Sequence, residues 1–209
     1  LNAEGRHKDV IQKFTAIPQG DALLSSSAVH HELVKAFAYA YDHSKATEHA
    51  HAVLTDNVLH KRAAVAIAIH AYARADKLSD AEYLLAQWLE AYAAEAPEAT
   101  ASRTLALVAS LSASRGENGA SYTRAPDAVA QLSDEHRRAL RESPPGPQVW
   151  LNILRLYAQR RAADNCLVVL CYLEDEPRTR QWANQQVYHH SVRALCDSGR
   201  FSEASELVE

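Results

Sequence analysis

Eleven histidines, three cysteines and one run of three acids are the side chains of this 209-residue chain best suited to chemistry. Their spacing works against it. His49 and His51 are two apart and point to different faces of a helix. His30-His31 and His189-His190 are adjacent, so their side chains diverge by about 100° on a helix. No HExxH occurs, and no His pair at four-residue spacing encloses a carboxylate. His70 reads as a contact between neighbouring units, not as a ligand. Cys166, Cys171 and Cys196 are odd in number and form no CxxC, which argues against a disulfide framework or a zinc site. They read as buried free thiols in a reducing compartment. Glu174-Asp175-Glu176 closes a helical pattern before Pro177 and reads as a solvated linker, its charge offset by Arg178 or Arg180. GxSxG, P-loop and GxGxxG patterns are absent. The expectation is no enzyme, with no cofactor, no metal and no small-molecule substrate.

Charge bounds the partners. Residues 1–125 carry 12 Lys/Arg against 14 Asp/Glu, and residues 126–209 carry 10 against 12. Neither half is basic, so composition offers no broad phosphate-binding surface. One local patch remains, Arg137, Arg138 and Arg141 on a single predicted helix. It reads as a solvated face or as a contact for RNA phosphate or an acidic partner. No apolar run approaches a membrane span of ~18 residues, so no membrane partner is expected.

The elements that must position these side chains are helices. Hydrophobic residues make up 47% of the chain, while Gly and Pro number only 6 and 7. That balance favours an all-α fold. The closing stretch VYHHSVRALCDSGRFSEASELVE shows the unit. One helix carries Tyr188, Val192 and Leu195, Gly199 breaks it, and a second helix opens on Ser202-Glu203-Ala204. The pattern recurs 38 residues earlier, with Trp150 at the Tyr188 place, Tyr157 at Leu195 and Cys166 at Ala204. A further 38 residues back lies Ala128. Ile67–Tyr92 supplies another copy, with Tyr72 and Ala81 in the Leu195 and Ala204 roles. His30–Leu54 supplies one with Ala50 in the small position and a first helix about one turn longer.

Five helix-turn-helix units follow, beginning near residues 28, 61, 101, 147 and 185 within a repeat region spanning 28–209. Residues 1–27 are an N-terminal extension with a short helix from Lys8 to Thr15. Ser143-Pro144-Pro145-Gly146-Pro147 is a stiff connector. One hairpin cannot bury its own apolar face, so stacked copies must share a core. The chain has no Met and its closing unit stops mid-pattern, so it is expected to be a piece of a longer array.

The closing unit is similar to the pentatricopeptide repeat: an aromatic at Tyr188, apolar Val192, Leu195-Cys196, Gly199-Arg200, then Glu203-Ala204 and Leu207. The copy at 66–88 fits pentatricopeptide or tetratricopeptide repeats. The resemblance covers perhaps 180 residues as architecture and about 50 closely. It implies a right-handed α-solenoid of such hairpins, RNA binding, and a mitochondrial (matrix) location. It also implies that the residue after the first-helix aromatic faces an RNA base. That residue is His189 in the last unit and Leu151 in the fourth, not the small polar residue of base-reading repeats. The expectation is therefore a non-catalytic scaffold in an organellar ribonucleoprotein, most concretely a mitochondrial ribosome or its assembly machinery, contacting rRNA and neighbouring proteins. The alternatives are a sequence-selective RNA-processing factor and a tetratricopeptide-type peptide adaptor.

Overall fold

The computed structural model describes residues 5–18, 26–55, 61–113 and 132–208. Every regular element among them is helical: α1 (His7–Thr15), α2 (Ser27–Tyr39), α3 (His43–Thr55), α4 (Lys61–Arg74), α5 (Leu78–Ala93), α6 (Glu98–Ala113), α7 (Asp134–Arg141), α8 (Pro147–Gln159), α9 (Ala163–Asp175), α10 (Gln185–Asp197) and α11 (Phe201–Glu206). One 3-10 turn, Arg180–Trp182, joins α9 to α10. No described helix is long and apolar enough to cross a membrane.

Four hairpins share one turn. Tyr41, Asp76, Arg161 and Gly199 have φ of 63°, 57°, 57° and 78°. Each stands two residues before the second helix of its pair: α2–α3, α4–α5, α8–α9 and α10–α11. The next residue donates its N–H to the carbonyl five back: Asp42 to Phe37, Lys77 to Tyr72, Ala162 to Tyr157 and Arg200 to Leu195, at 2.9–3.0 Å. This is the closure that satisfies the last carbonyls of a helix through a left-handed residue. Only one of the four is glycine. Left-handed backbone costs an ordinary residue about 1–2 kcal/mol, so three hairpins carry that strain. A Cβ at Gly199 would meet nothing within 4 Å. Gly199→Ala is therefore expected to lose about 1 kcal/mol through backbone strain alone. Arg161→Gly should move the urea midpoint the other way by a smaller amount, because Gly also loosens the unfolded chain. Equal and same-signed shifts would contradict this account.

Where the second helix opens, Ala46, Ala81, Cys166 and Ala204 donate to the carbonyls of Asp42, Lys77, Ala162 and Arg200. All four are buried. The small position of the first hairpin is thus Ala46, not the Ala50 expected from sequence. The two alanines lie one helical turn apart on the same buried face, so spacing alone could not separate them. The slip of four residues also accounts for the extra turn assigned to that first helix.

The stacking order departs from the chain order. α2 packs on α4, α4 directly on α8, and α8 on α10. The third expected unit does not stand between the second and the fourth. Its first helix, α6, packs between α5 and α9, while α7 packs on α4 and α5. Ala128 lies outside the described residues. A repeated polar contact marks the true neighbours. The Arg160 guanidinium donates to the carbonyl of Asp76 at 2.9 Å and to its carboxylate at 3.1 Å. Ser198, 38 residues later, donates through Oγ to the carbonyl of Arg161 at 2.9 Å. Both acceptors are the left-handed residues of the preceding turn.

The proline connector is part of the core. Pro144 and Pro145 are buried. The indole N–H of Trp88 donates to the Ser143 carbonyl at 3.0 Å, and that of Trp150 to the Pro145 carbonyl at 2.8 Å. Pro147 then opens α8 at its first position, where its missing N–H costs nothing.

Two expectations change. The acidic run is not a solvated linker: Glu176 is buried with Arg103 at 3.8 Å, and Glu174 accepts from the Tyr188 hydroxyl. Arg180 reaches the Glu174 carbonyl and Arg178 the Tyr92 hydroxyl. Of the thiols, Cys166 is buried, Cys196 half-buried and Cys171 exposed.

Candidate nucleic-acid interface

The first helices of the four hairpins, α2, α4, α8 and α10, lie side by side. The same register position lines a common groove on α2, α4 and α8, and on α10 it stands exposed outside that lining. Counting six residues back from each left-handed turn residue gives Lys35, His70, Arg155 and Arg193. All four are basic side chain types. Ten residues back gives His31, Ala66, Leu151 and His189, which includes both positions that the repeat resemblance aims at RNA bases.

A cavity of about 440 Å³ lies at the centre, bounded by Tyr39, Arg74, and the α8 and α10 side chains Leu151, Arg155, His189 and His190. A second, of about 270 Å³, adjoins it toward α2 and brings in His31, Lys35 and His70. The two share Tyr39, Gln148 and Asn152. Among the described residues no Asp or Glu lines either one; Glu32 reaches the lining from outside it, meeting Lys35 at 3.0 Å. So a net-acidic chain presents one locally positive strip.

The charges at the centre lack carboxylates. Among the described residues, no acid lies within ion-pair distance of Arg74 or Arg155. Arg74 stacks its guanidinium 4.6 Å over the Tyr39 ring. The Nε atoms of both arginines and Nδ1 of His190 are buried without a protein hydrogen-bond partner. Burial, and then the neighbouring Arg74 guanidinium, destabilise the charged form of Arg155. Burial also lowers the His190 pKa, helped by His189, Arg155 and Arg193. Arg74 and Arg155 are thus held close together with no carboxylate to offset them among the described residues.

His70 contacts a neighbouring unit, as its position in the sequence suggests: its Nδ1 lies 3.2 Å from Asn152 Oδ1 across the α4–α8 junction. Burial is the main cause that lowers its pKa from 6.5 to about 4, against the raising effect of the Asn152 bond and with help from Arg74, Arg155 and Lys35. The unfolded chain therefore binds the His70 proton more readily than the folded one. Stability present above pH 6.5 is lost as pH falls through the folded value near 4, by about 2 kcal/mol after allowing for the residue's partial exposure. His70→Gln should flatten that part of the pH–stability curve; an unchanged slope between pH 6.5 and 4 would refute the assignment.

The Arg137, Arg138, Arg141 patch stands elsewhere, exposed on α7, with Arg141 paired to Glu95 at 2.9 Å. None of the three lines the groove. Of the expected RNA-facing residues, the structure brings His189 and Leu151 together and leaves these arginines apart. Among the described residues no three His, Cys, Asp or Glu side chains are grouped to hold a metal ion. Comparison with protein-family models, with curated proteins and with solved structures finds no match in any of the three.

Proposed function

We propose that this chain is a non-catalytic scaffold, a right-handed α-solenoid of pentatricopeptide-like hairpins. Its place is an organellar ribonucleoprotein, most concretely a mitochondrial ribosome or its assembly machinery, where it touches RNA and neighbouring proteins. The turn shared by Tyr41, Asp76, Arg161 and Gly199 is the observation that carries the reading. It gives four hairpins one geometry and sets four first helices along one groove, the form an extended binding surface takes. The mitochondrial location rests on the repeat resemblance of the closing unit.

A scaffold is favoured over a reader of RNA sequence by the residues ten before each turn. Ala66 and Leu151 have no hydrogen-bonding group to offer a base edge, and they interrupt His31 and His189. Reading consecutive bases needs donors or acceptors in consecutive units. The test is sedimentation of mitochondrial extract with and without ribonuclease, followed by binding to a panel of single-stranded RNAs. Migration with a large ribonuclease-sensitive particle and little discrimination among the RNAs are the expected results. Tight binding to one sequence alone would replace the scaffold with the processing factor. A complex indifferent to ribonuclease would point to the peptide adaptor.

A further inference from the structure

Arg74 on α4, Arg155 on α8 and His190 on α10 line the central cavity of about 440 Å³. Each has a nitrogen buried with no protein hydrogen-bond partner, Nε in both arginines and Nδ1 in the histidine. We propose that this cavity is the site of a structural anion, a compact polyphosphate seated inside the array that ties the second, third and fourth hairpins together. The occupant is a small molecule, pyrophosphate or a polyol carrying several phosphates, and not a nucleic-acid strand. The inference goes beyond the RNA contact proposed above and does not depend on it.

Three observations carry it. First, the charge has no counterpart within the protein. Among the described residues no Asp or Glu lines the cavity or pairs with Arg74 or Arg155. Taking charge out of water is costly unless an opposite charge offsets it, and two half-buried guanidiniums also repel one another. A phosphate between them removes both costs, because the planar guanidinium fork meets phosphate oxygens in pairs of charge-assisted hydrogen bonds. Second, the lining is built for a polar guest. Gln148, Asn152, Gln185 and Gln186 bring amides, and of the ten lining residues only Leu151 is aliphatic. Gln185 and Gln186 open α10, so the positive end of a 13-residue helix stands at the margin. Third, the cavity suits a compact guest better than a base. The Tyr39 ring is already stacked on His7 and covered by the Arg74 guanidinium, each at 4.6 Å. The volume falls in the range of about 300–1,000 Å³ typical of small-molecule sites. A single phosphate leaves most of that space empty, whereas a polyphosphate reaches both arginines and the amides.

The position gives the anion a mechanical part. It bridges α4, α8 and α10 from within the groove, while the Arg160–Asp76 contact bridges the second and third hairpins at their turns. Occupancy stiffens the array across both junctions.

The experiment is a thermal melt of the intact chain with pyrophosphate, with inositol hexakisphosphate, and with sodium chloride at matched ionic strength. At about a hundredfold excess over the dissociation constant, the bound anion should raise the melting temperature by about 5–10 °C, and chloride should not reproduce the rise. Whichever probe binds more tightly tells an inorganic occupant from a polyol phosphate. Arg155→Gln should weaken binding about ten- to a hundredfold in a calorimetric titration. Without ligand the same variant should melt no lower than the parent, because it removes one of two repelling charges. Arg155→Lys should recover part of the affinity. Arg193→Gln, exposed outside the cavity, and the Arg137→Gln/Arg138→Gln double variant on α7 should bind as the parent does. The site is wrong if neither probe shifts the melt, if chloride matches them, or if Arg155→Gln binds undiminished. It is also wrong if an oligouridine strand alone shifts the melt and Arg155→Gln abolishes that shift, since the arginines then serve the strand. The ribonuclease test of the function proposed above is decided separately from all of these results.

Discussion

Trp150→Ala is expected to lower the stability of the chain by about 3–5 kcal/mol. Trp150 is 0% exposed at the start of α8. Its ring packs against Tyr172 of α9, centroids 5.6 Å apart, and its indole N–H holds the Pro145 carbonyl. Truncation leaves a cavity, strands a buried carbonyl, and frees the connector that leads the chain into the third hairpin. For a chain of this size each kcal/mol shifts the melting temperature by about 2–4 °C, so a drop of about 10 °C is the readout. Trp150→Phe keeps most of the volume and loses only the hydrogen bond, so it should fall well short of the alanine variant. If both substitutions lose under 1 kcal/mol in urea melts, the connector is not anchored as described.

Tyr157→Phe tests the junction between α8 and α5. The Tyr157 hydroxyl donates to Glu82 Oε1 at 2.5 Å, and Glu82 is 1% exposed. Removing the hydroxyl withdraws a donor from a buried carboxylate, at about 2–3 kcal/mol. The double variant Tyr157→Phe/Glu82→Gln should recover part of that loss, because a neutral amide is less costly to leave short of a partner. Additive losses in the two substitutions would mean that they do not act through one another.

The hairpins were legible in the sequence wherever the break and the small residue fell at consistent distances. The 38-residue register between Trp150 and Tyr188, Tyr157 and Leu195, and Cys166 and Ala204 is the register of α8–α9 against α10–α11. It held through the Arg161 turn, which has no glycine to mark it. In the first hairpin the register slipped by one turn, because Ala46 and Ala50 satisfy the same spacing. The detour of α6 and α7 was not legible. Helical periodicity says which face of a helix is apolar, not which neighbour covers it, and α6 is as regular as the helices around it. The basic row was hidden for a different reason. It needs the four turns aligned by their left-handed residues, and its members are a Lys, a His and two Arg, which share a charge type but no letter pattern.

The Arg160–Asp76 contact has a cost in chain entropy that the Ser198–Arg161 contact does not. It joins residues 84 apart, against 37 for its counterpart. Loop-closure entropy grows only with the logarithm of length, so the longer loop costs about 0.7 kcal/mol more. α6 and α7 can therefore stand off the row of hairpins at little thermodynamic expense, while α4 and α8 still meet directly. The charge falls on speed instead. The third and fourth hairpins meet across a shorter sequence separation than the one that joins them to the second, so refolding should assemble the two ends of the groove before it joins them.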